Sequence, residues 1–166
     1  MKLKTERTEI IPFVKDHIPL IIQMFHEPDS NRFIRPLHGK TDEEFREILE
    51  NKVDKNQKLL QWWTVFHRDT SDFIGTLNIN EFNETGYIQL GVHLSVKYWK
   101  QGYAFELCQT MLAYAFEVRN LQVLYWVFEK GHTTSKKLAE KLGFKPFKEM
   151  EDRGCPLWVY KMTSTT

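Results

Sequence analysis

The stretch YWKQGYAFE, Tyr98 to Glu106, decides how the chain is read. Before it, YIQLGVHLS (87–95) has the period-two alternation of a strand. After it, Leu107, Cys108, Met111, Leu112, Ala115 and Phe116 form one apolar stripe at helical spacing. A strand therefore feeds a helix through a connection that carries Lys100, Gln101 and Gly102 where small polar turn formers are usual. The first turn of a helix has amide groups without intrahelical partners, and the helix dipole makes that end positive. Gly102 lets backbone approach a ligand closely, Ala104 keeps the next turn uncluttered, and Lys100 adds charge. These residues describe a diphosphate cradle built of main-chain donors, with an ordinary strand-to-helix turn as the alternative.

Working outward, TEIIPFV reads as a first strand. KDHIPLIIQMFHE carries Ile18, Ile21, Ile22 and Phe25 at helical intervals, with Pro28 as its stop. NRFIRPLHG looks irregular. Thr41 followed by Asp42, Glu43 and Glu44 is a helix start, and that helix is expected to reach about Val53. LLQWWTVFHR, DFIGTLNINEF and YIQLGVHLS, separated by DTSD and NETG, predict an antiparallel meander. LQVLYWVF is a continuous apolar run of the kind buried on both faces. TTSKKLAEKLGF predicts a short helix closed by Gly143, and strands near FKPFKEM and PLWVYKM finish the chain. The order β-α-α-β-β-β-α-β-α-β-β predicts an α+β fold: a mixed, mostly antiparallel central sheet with helices on both faces, in αβα layers. Residues 1–166 are read as a single domain with a frayed tail at 163–166.

The bulk numbers exclude several classes. Lys+Arg 23 against Asp+Glu 22 gives a net charge of +1, so no global field recruits nucleic acid or anionic membrane. Cys108 and Cys155 have no metal-ligand or redox spacing, which suits a reducing cytoplasm, and no His/Cys/Asp/Glu grouping predicts a metal. MKLKTERTEI lacks the apolar core of a signal peptide, and no apolar run approaches the ~18 residues a membrane helix needs. The expectation is a soluble cytoplasmic protein, for which a homodimer is admitted but not required.

GYIQLGVHLSVKYWKQGYAFELCQTMLAYAF, followed by KGHTTSKKLAEKLGF, resembles the GNAT superfamily of N-acetyltransferases. The form YWKQGYAFE, with TERTEIIPF and DFIGTLNI, is similar to its RimJ/RimL branch, whose members acetylate protein N-termini. The resemblance implies that the loop binds the pyrophosphate of acetyl-CoA and that the preceding strand, near Leu94 and Val96, pairs with the pantetheine arm. The superfamily's Q/R-x-x-G-x-G/A signature falls on Trp99, Lys100, Gln101, Gly102, Tyr103 and Ala104. Trp99 is the branch's own form. Lys100 replaces the usual glycine, and Val96 stands where proline is common. The branch's Asn-x-x-Ser falls on His132, Thr133, Thr134 and Ser135, so the asparagine has become His132. Ser135 then occupies the place of a hydroxyl that hands a proton to the departing CoA thiolate; an ordinary helix-start serine is the alternative. The acid tyrosine of other members would fall at Ala139 and is absent.

Acetyl transfer needs a neutral amine, hence a base or a water path to solvent. Alternation places Gln89, Gly91 and His93 on one strand face, and His93 near the strand end is a candidate base, with a structural histidine as the competing reading. Glu149 and Glu151 are rivals that read first as surface charges. Cys108 lies on an apolar stripe and reads as core, so a covalent intermediate has little support. Trp62, Trp63, Trp126 and Trp158 read as core. Lys97, Lys136 and Lys137 flank the two CoA segments, where one could meet the ribose phosphate. His26, Glu27, Asp29 and Asp152 are candidates to draw an amine cation, with solvated loop charge as the alternative. The expected function is acetyl-CoA-dependent N-acetylation of a primary amine, on a protein N-terminus or a small molecule, by direct attack in a ternary complex. A non-catalytic acyl-CoA-binding module or an interaction protein of the same fold is the alternative.

Overall fold

A computed structural model describes residues 2–30, 32 and 38–165. The chain forms two compact units, Met1–Asn78 with Val92–Tyr103, and Ile79–Gly91 with Ala104–Thr166.

The first unit holds β1 (Leu3–Lys4), β2 (Thr8–Pro12), α1 (Ile18–Phe25), α2 (Asp42–Lys58), β3 (Trp62–His67), most of β4 (Phe73–Glu81) and the end of β5 (Ile88–Leu94). β2 pairs antiparallel with β3 in the register Ile10↔Val65, and β3 with β4 in the register Trp63↔Leu77, so these buried side chains share one face. Helix α1 follows a single 3-10 turn at Lys15–His17 and ends at Phe25, ahead of Pro28. Its apolar face closes a core of Phe13, Ile18, Ile21, Ile22, Phe45 and Leu49. Thr41 caps α2 as its sequence suggests. Its Oγ1 accepts the Glu44 amide at 3.1 Å, and the Glu44 carboxylate accepts the Thr41 amide at 3.3 Å. The helix passes Val53 and runs to Lys58, with Lys55 and Lys58 at its negative end.

The second unit holds the remainder of β4 and β5, with all but the first residue of α3 (Tyr103–Ala113), and with β6 (Val123–Glu129), α4 (Thr133–Leu142), β7 (Lys145–Asp152) and β8 (Cys155–Thr163). β5 and β6 run parallel, in register at Gln89↔Tyr125; β6–β8 and β7–β8 are antiparallel. A π turn at Tyr114–Val118 continues α3. Gly143, at φ 106°, ends α4 and donates to the carbonyls of Ala139 and Glu140.

The strand order is β1-β2-β3-β4-β5-β6-β8-β7. The α+β reading holds, and the order of elements matches apart from the short β1. Two local expectations are corrected. β6 alternates, with Leu124, Trp126 and Phe128 buried and the residues between them only half-buried, so it is not sealed on both faces. The tail is more ordered than expected: Thr163 belongs to β8, and the Ser164 amide donates to the Gln122 carbonyl at 2.9 Å.

Candidate functional site

The loop between β5 and α3 is built by its own side chains. A single 3-10 turn covers Val96–Tyr98, and Trp99 then returns to extended backbone. The Trp99 indole N–H donates to the Leu94 carbonyl at 2.8 Å, and the Gln101 amide donates to the Lys97 carbonyl at 2.7 Å. Lys100 has φ 60° and Gly102 has φ 82°. The position where the GNAT signature usually carries glycine is therefore a left-handed one, which lysine occupies at a cost of about 1–2 kcal/mol. A Cβ on Gly102 would lie 3.6 Å from Arg7 Nη2, an ordinary contact, so backbone conformation rather than crowding calls for glycine there. Left-handed residues just ahead of a helix start supply the backbone conformations from which main-chain anion nests are built.

Arg7, which sequence reasoning passed over, stacks its guanidinium on the Tyr103 ring, with Cζ 3.8 Å from the ring centroid. That ring is buried and meets Tyr98 edge-on at 5.5 Å. The stacking holds a permanent positive charge beside Gly102.

Glu27 enters the same loop from beyond α1. Its carboxylate accepts the Ser95 hydroxyl at 2.6 Å and the Val96 amide at 2.9 Å. This corrects two expectations. Val96 lies past the end of β5 with its N–H already engaged, so it is not a free strand amide for pantetheine. Glu27, read from sequence as a solvated loop charge or an attractor of an amine cation, braces the loop. His26 pairs with Asp42 at 2.7 Å on the surface. Asn31 and Phe33–Leu37, expected to line an acceptor site, lie outside the described residues.

His93 is half-buried, packed edge-on against Phe25 at 4.6 Å, and its Nε2 lies 2.5 Å from the Ser30 carbonyl. A carbonyl only accepts, so Nε2 carries the proton and is not a lone-pair base. The structural reading of this histidine gains support. Behind the strand, a Cβ on Gly75 would come within 2.1 Å of the His93 carbonyl oxygen, so only glycine permits this approach.

In the second unit, Ala104 sits in the first turn of α3. His132 is the N-cap residue of α4, and its carbonyl accepts the Lys136 amide at 3.1 Å; its side chain makes no cap bond. Ser135, in the first turn of α4, does not serve as a cap. Its Oγ accepts the indole N–H of Trp126 at 2.8 Å. The sequence assigned Trp126 only to the core, and nothing in the local pattern announced that its polar edge meets Ser135. Ala139 is fully buried. Glu149 pairs with Lys130 at the surface. Cys108 is fully buried, and burial pushes its thiol far above the ordinary range, which bars it as a nucleophile. Among the described residues there is no cluster able to hold a metal ion, and no helix long and apolar enough to cross a membrane.

The structure thus gathers Leu94, Val96, Trp99, Lys100, Gln101, Gly102 and Tyr103 into one braced loop with Glu27 and Arg7. Separately, it places His132 and Ser135 at the start of α4 beside Trp126.

Comparison with known proteins places the chain in a family and matches its fold. Residues 7–145 match the family described as Acetyltransferase (GNAT) domain. YkkB of Bacillus subtilis is 25% identical over 154 residues, covering 90% of this chain and 88% of its own. The crystal structure of a GNAT-family acetyltransferase from Bacillus anthracis superposes with a TM-score of 0.82 at 19% identity, over 98% of both chains. RimL, a ribosomal L7/L12 alpha-N-protein acetyltransferase solved in complex with coenzyme A, gives a TM-score of 0.80 at 14% identity, also over 98% of both chains.

Proposed function

The chain belongs to the acetyltransferase (GNAT) domain family, and we propose that it is an acetyl-CoA-dependent N-acetyltransferase of RimJ/RimL type, acting as one catalytic domain on a primary amine. The favoured acceptor is a protein N-terminal α-amino group, by likeness to RimL; a small-molecule amine is the other acceptor class.

One observation carries the donor assignment. Lys100 and Gly102 both adopt left-handed backbone immediately before the start of α3, where first-turn amides have no intrahelical partner. The amides around Gly102 and Ala104 then hold the diphosphate, with Arg7 and Lys100 as flanking charges. Leu94 remains the candidate pantetheine contact on the strand, and His132 an altered one near the start of α4. The amine attacks the thioester carbon directly, Ser135 protonates the departing sulfur, and the amine's proton leaves through water. His93 Nε2 takes no proton in that transfer, because it already carries one and donates it in a hydrogen bond to the Ser30 carbonyl.

The test pairs calorimetric titration of acetyl-CoA with a thiol-release assay across peptides with free N-termini, polyamines and small amines. Binding with amine-dependent release of CoA is expected. Tight binding with no release for any amine would overturn the transferase reading in favour of an acyl-CoA-binding module.

A further inference from the structure

We propose that Trp126 is the positioning residue for Ser135: its indole N–H occupies an acceptor site on Oγ and leaves the hydroxyl proton for the thiolate that departs from acetyl-CoA. The proposal rests on the reading of Ser135 as the acid.

The direction of the hydrogen bond is fixed by chemistry. An indole N–H can only donate, so across 2.8 Å the Ser135 oxygen must accept. A serine hydroxyl has one proton, and inside a helix it is commonly given to a carbonyl one turn back. Among the described residues Ser135 has Trp126 as its hydrogen-bond partner and makes no such bond. Its proton is therefore uncommitted, on a half-buried side chain in the first turn of α4.

Both partners are held by rigid elements. Trp126 is 4% exposed, projects from β6 and packs against Phe144 with ring centroids 5.5 Å apart. The donor is thus in place before any ligand arrives. In the reaction the amine nitrogen bonds to the carbonyl carbon and the carbon–sulfur bond breaks with its electron pair passing to sulfur. Ser135 gives its proton to that sulfur, and negative charge develops on Oγ against the waiting indole N–H. A prepositioned donor stabilises such charge without rearrangement. Water then returns a proton to Oγ and takes the one lost by the amine nitrogen, so the balance closes.

A purely structural indole, satisfied by whichever oxygen is near, predicts a different pattern of defects. The experiment follows acetyl transfer from acetyl-CoA to hydroxylamine, a small acceptor that needs little recognition, in Ser135→Ala, Trp126→Phe and the double variant. A fourth protein carries benzothienylalanine at position 126, which keeps the ring shape and replaces the N–H by sulfur. Ser135→Ala should lower kcat by about a hundredfold with affinity for CoA unchanged. Trp126→Phe and the benzothienyl variant should each lower kcat by roughly tenfold, with KM for acetyl-CoA unchanged. Neither loss should recur in the Ser135→Ala background, since Trp126 acts through the hydroxyl. Full kcat in the benzothienyl variant, or a Trp126 defect undiminished on top of Ser135→Ala, would overturn the proposal alone. Ser135→Ala at wild-type rate would overturn the acid reading and the proposal with it.

Discussion

Glu27 holds the amide of Val96 at 2.9 Å, a hydrogen bond that spans 69 positions of sequence and ties the turn after α1 to the entry of the YWKQGYAFE loop. The same carboxylate takes the hydroxyl of Ser95, a buried residue. Removing it leaves that hydroxyl and the Val96 N–H without their acceptor. Glu27→Ala should cost about 1.5–3 kcal/mol, the scale of hydrogen bonds to a charged group, and Glu27→Gln distinctly less. Because the brace sits at the mouth of the loop, affinity for CoA should fall with it. Urea unfolding and calorimetry of CoA binding check both effects. Wild-type affinity in Glu27→Ala would show that the brace does not govern the loop.

Lys100 and Gly102 separate backbone strain from charge. Lys100→Gly relieves a left-handed lysine worth about 1–2 kcal/mol, against about 0.5–1 kcal/mol for glycine's greater freedom in the unfolded chain. A net gain of up to roughly 1.5 kcal/mol is expected. Lys100→Ala keeps the strained conformation and loses only the ammonium. Gly102→Ala places a side chain at φ 82° and should cost about 1–2 kcal/mol. The melting temperatures should therefore rank Lys100→Gly above wild type and Gly102→Ala below it. If the ammonium meets a phosphate, both Lys100 variants lose CoA affinity equally. A loss confined to Lys100→Gly would instead assign the effect to loop order.

The elements that sequence made legible are those set by local chemistry. The change from period two to helical spacing around YWKQGYAFE, the helix start at Thr41 and the Gly143 terminus each depend on neighbours within one turn, and each appears as expected. What stayed hidden depends on partners remote in sequence. Glu27 looks like a loop charge until Val96 comes to it, and nothing local announces that His93 Nε2 donates to the Ser30 carbonyl. Trp126 was rightly placed in the core, but apolar periodicity carries no information about where an indole N–H points. Lys100 was visible as a departure from glycine; its meaning came only with the sign of φ. The extension of α2 beyond Val53 was also hidden, since its last turns are polar and gain their hold through Asn56.

His17 supplies a pH dependence. Its ring lies edge-on to Phe66 at 5.3 Å, and Nδ1 accepts the Val14 amide at 3.3 Å, which requires an unprotonated nitrogen. Burial lowers its pKa, with Asp16 opposing the shift. The unfolded chain therefore binds a proton more readily than the folded one. The folded state is unpenalised above the ordinary histidine value of ~6.5 and loses stability as pH falls from there toward the lower folded value. Urea midpoints measured between pH 8 and pH 5 should fall more steeply for wild type than for His17→Gln. Parallel profiles for the two proteins would assign the acid sensitivity to other groups.

Asn56 fastens the end of α2 to the start of β3 and uses its whole hydrogen-bonding capacity to do so. Its Nδ2 donates to the carbonyls of Trp62 at 2.9 Å and Phe13 at 3.3 Å, while Oδ1 accepts the amides of Gln61 at 2.7 Å and Trp62 at 2.9 Å. The residue is 9% exposed, so water replaces these partners poorly. Asn56→Ala should cost on the order of 2–4 kcal/mol, the desolvation of several backbone groups left unpaired. Asn56→Asp sharpens the argument. A carboxylate still accepts the two amides but faces two carbonyls with no proton to offer, so at pH 7 it should destabilise at least as much as alanine. Protonation restores one donor, and the gap between Asn56→Asp and wild type should narrow as pH falls from 7 to 4. Chemical denaturation at the two pH values measures that gap. A gap that stays constant would mean the carbonyls of Phe13 and Trp62 do not depend on the donors Asn56 provides.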